Sequence, residues 1–230
     1  MSRPLVLPHL ETLKALRGQP LADVGFAGRL EEVKRWQHDR LARTYADLVA
    51  HPRYAEAATF FLEDLYGAKD FSKRDDEMAR IYPTLVRVLP TSAVETVDLA
   101  LELDALAEGF DQDLARALPA RGAISEASYA EAFRKVGREP QRYRQIELVS
   151  EVGHRLDLVV KKPLIATTLR MLRKPAHLAG LGDLQEFLEH GFDAFRAMGG
   201  ADEFLGIISR RETEIMQRIF AGHAQPFAVS

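Results

Sequence analysis

The stretch SAVETVDLALELDALAEGFDQDLARAL, residues 92–118, decides the fold class. Val94, Val97 and Leu101 recur at helical spacing, and Leu99, Leu103, Leu106, Phe110 and Leu114 form a second helical stripe. A helix with two apolar faces usually lies between neighbours on both sides, so residues 93–118 are expected as the central helix of a bundle. Ser92-Ala93-Val94-Glu95 has the form of a capping box that would open it.

Outward from this helix the apolar period stays helical almost throughout. On the N-terminal side, Leu30, Val33, Leu41, Tyr45 and Leu48 share one face of a helix that Pro52 ends. Tyr54, Ala57, Ala58, Phe61 and Leu65 line the next one, with Gly67 placed as its cap. Ser72 to Asp75 reads as another capping box, for a helix starting at Lys73, which Pro83 kinks or ends. On the C-terminal side a short helix spans 125–136, and Pro140 opens a long one reaching about Lys162. Pro163 and Pro175 bracket a shorter helix. Leu184, Phe187, Leu188, Gly191, Phe195 and Met198 then form a stripe ended by Gly199-Gly200, and a last helix closes at Gly222. No strand-period segment, repeat or low-complexity tract interrupts the pattern. The expected fold is all-α: a single domain over residues 1–230, an irregular bundle of eight or nine helices.

Composition bounds the function. The 230 residues include 47% hydrophobic and 28% charged, with 31 basic and 34 acidic residues for a net charge of −3. That balance gives no long-range field to gather nucleic acid. Without cysteine there is no disulfide framework, thiolate metal site or cysteine nucleophile. No run of 18 apolar residues and no leader pattern occurs, which fits a cytoplasmic protein. Neither nucleic acid nor a membrane is expected as partner, and self-association stays open.

The most distinctive segment is Phe60-Phe61-Leu62-Glu63-Asp64-Leu65-Tyr66-Gly67, followed by Asp70-Phe71-Ser72 and Arg74-Asp75. With Arg80-Ile81-Tyr82-Pro83 and Leu89-Pro90 it resembles a family of uncharacterised bacterial proteins with the signature FFL-x-D-x-YG-x-x-DFS-x-RD. The resemblance implies a coherent helical domain and carries no catalytic residues across. Asp64, Tyr66, Asp70, Arg74 and Asp75 are the site candidates. They form either a structural corner between two helices or a polar pocket in which Arg74 binds an anion beside helix amides.

Other constellations lack parts. Glu151-Val152-Gly153-His154 has the Glu-x-x-His spacing of helical di-iron proteins, and Glu147 shares its side. The second motif such a site needs is missing. No histidine projects from an apolar face as a haem ligand would, and no phosphate loop or nucleophile elbow occurs. No cofactor is therefore expected. From Ala93 to Leu118 there are seven acids and one base, and they are read as a solvated face. The segment from Lys161 to Lys174 has five bases and no acid, and the acidic helix is its simplest partner. The leading function is a non-enzymatic module binding a small apolar or amphipathic ligand between helices. The alternative is a metal-dependent oxidase using Glu147, Glu151 and His154.

Overall fold

The computed structural model describes residues 6–18, 23–65, 72–88, 91–119 and 121–229. Among them there is no strand, and eleven α-helices follow one another. They are α1 (Val6–Gly18), α2 (Val24–Thr44), α3 (Ala46–Ala50), α4 (Ala55–Phe60), α5 (Ser72–Val88) and α6 (Thr91–Ala117). Then come α7 (Glu126–Val136), α8 (Glu139–Val160), α9 (Pro163–Leu178), α10 (Gly182–Met198) and α11 (Asp202–Phe220). A π-helical turn, Phe61–Leu65, prolongs α4.

The count exceeds the expected eight or nine for two reasons. Among the described side chains of α1, Leu10 and Leu13 are the buried apolar anchors, too few to announce the helix by period. The helix expected to run through Leu48 breaks at Tyr45, whose φ of −113° and ψ of 19° separate α2 from α3. That break lets the Tyr45 hydroxyl reach Glu212 on α11, 2.7 Å away.

Boundaries differ from expectation at three places. Helix α6 begins at Thr91, so Ser92 lies inside its first turn, where its carbonyl accepts from Thr96 Oγ1 at 2.9 Å. Helix α5 includes Ser72 instead of starting at Lys73. The Ser72 side chain and Gly67 lie outside the described residues. Pro175 sits within α9, which continues to Leu178: an exposed helix tolerates the lost amide because water reaches the freed carbonyl. A capping box does form at α7, where the Ser125 and Ser128 side chains each accept from the other's backbone N–H at 3.1 and 3.0 Å.

Helix α6 packs against α1, α2, α5, α7 and α8. Its N-terminal half joins Leu10, Leu13 and Tyr82 through Val94 and Leu101. Its C-terminal half places Leu114 and Ala115 against Val33, Tyr129, Phe133 and Met216. A third apolar cluster fills the space among α4, α8, α10 and α11, around Phe60, Phe195, Phe204 and Leu205. Two glycines permit close approach there: a Cβ on Gly153 would stand 2.5 Å from Leu205, and one on Gly191 2.8 Å from Phe60.

The basic helix does not lie on the acidic one. Helix α9 packs on α10 and α8, with Arg173 held by Glu189 at 2.6 Å and Lys161 by Asp157 at 2.6 Å. The α6 acids are matched nearer home: Glu102 by Arg144 at 2.9 Å and Glu95 by Arg155 at 3.4 Å, both from α8. Among the described residues no helix is long and apolar enough to cross a membrane.

Candidate functional site

Helices α2, α6, α7, α8 and α11 line a partly open cavity of about 120 Å³, with Leu41, Leu114, Ile146, Ile215 and Met216 on one side. The opposite wall is polar. It adjoins a second lobe of about 100 Å³, lined by Leu48, Ala58, Phe61, Val149, Phe204 and Ile208. Gln37, Arg40, Gln145 and Glu212 border both lobes. Each lobe is comparable with cavities of roughly 150 Å³ that accept a benzene-sized guest.

The polar wall is an ordered set of ion pairs and hydrogen bonds. Arg40 Nη1 donates to Glu212 at 2.6 Å. Burial works against the Arg40 charge, but Glu212, Tyr129 and Tyr45 outweigh it and raise its pKa. Arg17 clasps Asp104 through Nη2 at 2.9 and 3.1 Å. Lys34 Nζ lies 2.7 Å from Glu108. Burial disfavours ionised Glu108, yet Lys34, Gln112 and Arg17 together hold it below the usual carboxylate range.

Two groups are left over from this pairing. Tyr129 donates its hydroxyl to the Gln37 oxygen at 3.0 Å, and the Gln37 amide nitrogen donates to Asp111, which fixes the amide between them. Burial, reinforced by Glu108, outweighs Lys34, Gln37 and Arg142 and raises Asp111 to about 7. Asp111 keeps some accessible surface and lines the cavity. Burial likewise pushes Tyr129 up to about 12. Arg142 is 5% exposed, and its guanidinium carbon sits 3.5 Å from the Phe133 ring centre and 4.2 Å from that of Phe110. Its Nε donates to the Gly137 carbonyl at 2.9 Å, while Nη2 is buried without a hydrogen-bond partner. Burial lowers its pKa to about 10.

The corner anticipated from sequence adjoins this cavity. Asp64 lies in the π-turn, its carboxylate 3.1 Å from His190 Nδ1. Arg74 donates to the Asp64 carbonyl at 3.0 Å, stacks over Phe187 at 4.4 Å and lies 3.6 Å from Asp104. Burial, aided by the nearby Arg17 charge, lowers the Arg74 pKa. Asp104 and Leu65 in turn line the polar lobe, and Phe61 and Leu62 line the apolar one. Tyr66, Asp70 and the side chain of Asp75 lie outside the described residues.

A family model described as Domain of unknown function (DUF8198) matches residues 18–226, most of the chain. The protein belongs to the DUF8198 family. The distinctive segment 60–75 falls inside the matched span, in line with the uncharacterised family expected from sequence. No curated protein and no solved structure matches the chain.

The Glu-x-x-His residues of this DUF8198 protein serve other contacts. Glu151 lies 3.1 Å from Arg155 and 3.7 Å from Arg144, and Glu147 is 4.0 Å from Arg144. His154 is exposed, with Nδ1 2.6 Å from the Ser150 carbonyl and Nε2 3.3 Å from Asp202. Among the described residues no three His, Asp or Glu side chains converge as a metal-ligand group.

Sequence reasoning missed Gln37, Arg40, Asp111, Tyr129, Arg142, Gln145 and Glu212. No local pattern singled out Asp111. At about 100° per residue, Asp104 and Asp111 project into one gap between the two apolar stripes of α6, and Glu95, Asp98 and Glu102 project into the opposite gap. The helices packed along each gap, not the wheel, decide which acid is buried. The remaining cavity residues come from four other helices, and no local spacing joins them.

Proposed function

We propose that this DUF8198 protein binds a small amphipathic molecule in the two-lobed cavity. The observation that carries the reading is the division of that cavity. One lobe presents Gln37, Asp111, Tyr129 and Arg142, and the other presents Leu48, Phe61, Val149 and Ile208. A purely structural polar network would have every charge matched, because an unpaired buried charge is costly. Here Arg17, Lys34 and Arg40 pair with Asp104, Glu108 and Glu212, with Arg74 also near Asp104, whereas Arg142 stays without an acid partner among the described residues. Ligand sites combine an apolar enclosure with a few convergent polar groups in this way.

A second reading rests on Asp111. A cavity carboxyl titrating near 7 is suited to general acid–base catalysis, so a bound molecule that is turned over would make the protein an enzyme. We further propose that the whole chain is one helical domain with α6 at its middle, supported by the five helices that α6 touches.

The test is a thermal-shift screen of small amphiphiles on the wild type and on Ala107→Leu, which fills the polar lobe from its α6 wall. A ligand at 100 times its Kd stabilises the native state by about 2.7 kcal/mol. Hits that stabilise the wild type and not the variant support the reading. Hits equal on both place binding elsewhere and overturn it.

A further inference from the structure

The charges facing the polar lobe come from five helices and can be balanced pair by pair, with Arg74 of α5, 3.6 Å from Asp104 behind the lobe, offset by Asp64. Arg17 of α1 pairs with Asp104 of α6, Lys34 of α2 with Glu108 of α6, and Arg40 of α2 with Glu212 of α11. Tyr129 of α7 is a neutral hydrogen-bond donor to Gln37. What remains is Arg142 of α8 and Asp111 of α6. Arg142 is clamped between two aromatic rings, and none of the described carboxylates lies within ion-pair distance of it. Among the described residues Asp111 takes a hydrogen bond from the uncharged Gln37 amide and none from a cation.

The lobe therefore has two electrically balanced states. With Asp111 ionised, its charge offsets Arg142 across the cavity. With Asp111 protonated, the lobe carries one surplus positive charge, and a single negative charge from outside restores balance. A dianion such as a phosphate monoester would overshoot. A carboxylate also matches the planar donor fork of a guanidinium.

We propose that the ligand is a monoanionic carboxylate amphiphile whose carboxylate lies in the polar lobe beside Arg142, whose chain enters the apolar lobe, and whose binding takes up one proton at Asp111. The proposal rests on the cavity being the ligand site. Proton uptake follows from like-charge repulsion between two carboxylates brought together in one small cavity. Linkage then requires that protonation strengthen binding. The high titration range of Asp111 in the free protein fits this: the proton is available near neutral pH.

The experiment is an NMR titration of the 15N-labelled 230-residue chain with octanoate and benzoate, and with their neutral counterparts octanamide and benzamide, at pH 6 and pH 8. The expected result is binding of the acids about tenfold tighter at pH 6 than at pH 8, because one proton is taken up across the range. The amides bind without that pH dependence. In Asp111→Asn, which keeps an acceptor for Gln37, the acids bind equally at both pH values. Arg142→Met loses the acids and keeps the amides, and Arg142→Lys, which retains the charge, separates loss of charge from loss of packing. Amides binding as tightly as acids would overturn the carboxylate assignment and leave the cavity reading standing. A pH dependence that survives in Asp111→Asn would overturn the proton assignment. Failure of all four compounds to perturb amides lining the cavity would overturn both.

Discussion

Replacing Asp111 by Asn should make the protein more stable, and increasingly so as pH rises. Asp111 titrates at about 7 in the folded chain against an ordinary value of 3.8. Folding thus binds a proton between those values, and a carboxyl raised in this way contributes stability that is fully present below pH 3.8. The contribution falls through the interval and is gone above about pH 8. At 1.36 kcal/mol per pH unit the whole interval is worth about 4 kcal/mol, of which about 3 kcal/mol is lost between pH 5 and pH 8. Asparagine does not titrate, so Asp111→Asn lacks this loss and still accepts from Gln37. The assay is urea unfolding of both proteins at pH 5, 6, 7 and 8, read by circular dichroism. The stability of the variant relative to wild type should rise by about 3 kcal/mol over that range. A difference that stays flat from pH 5 to pH 8 would refute the claim that Asp111 is held protonated by its surroundings.

Other consequences follow from contacts elsewhere. Gly153→Ala drives a methyl group into Leu205 and should cost about 1–3 kcal/mol in the same assay. Glu77→Ala removes the buried acceptor 2.8 Å from the Leu184 N–H, in the first turn of α10, and should cost about 1–2 kcal/mol. Arg40→Met strands the Glu212 charge and should cost about 3 kcal/mol, with partial recovery in the double variant Arg40→Met/Glu212→Gln. His154→Ala, at an exposed position, should change stability by less than about 0.5 kcal/mol.

What the sequence made legible follows from how each feature is encoded. The two stripes of α6 and the turns at Pro140, Gly199 and Gly222 are local patterns, and the helices they delimit appear in place. Helix α1 was illegible because Leu10 and Leu13, the buried leucines among its described side chains, do not make a period. The motif from Phe60 to Asp75 drew attention to a corner, and Asp64 and Arg74 do meet there, yet the larger cavity lies beyond it on α6. Arg142 carries no local signal, since nothing in the sequence around it says that Phe110 and Phe133 lie against it. The acids of α6 looked like one solvated run, and their angular positions do not separate them, because both sets lie between the apolar stripes and only the helices packed alongside bury Asp111. The partnership expected between the α6 acids and the bases of α9 failed for a related reason: charge composition names candidates for pairing, whereas chain topology puts Arg144 and Arg155 of α8 against that face first.

The account turns on whether the two-lobed cavity receives a ligand. Crystals of the 230-residue chain soaked with a fragment library containing octanoate and benzoate answer that directly. The account predicts fragment density between Gln37, Asp111 and Arg142, with any chain running toward Phe61 and Val149. Fragments bound only at the outer surface, with the cavity empty or holding water alone in every data set, would contradict it.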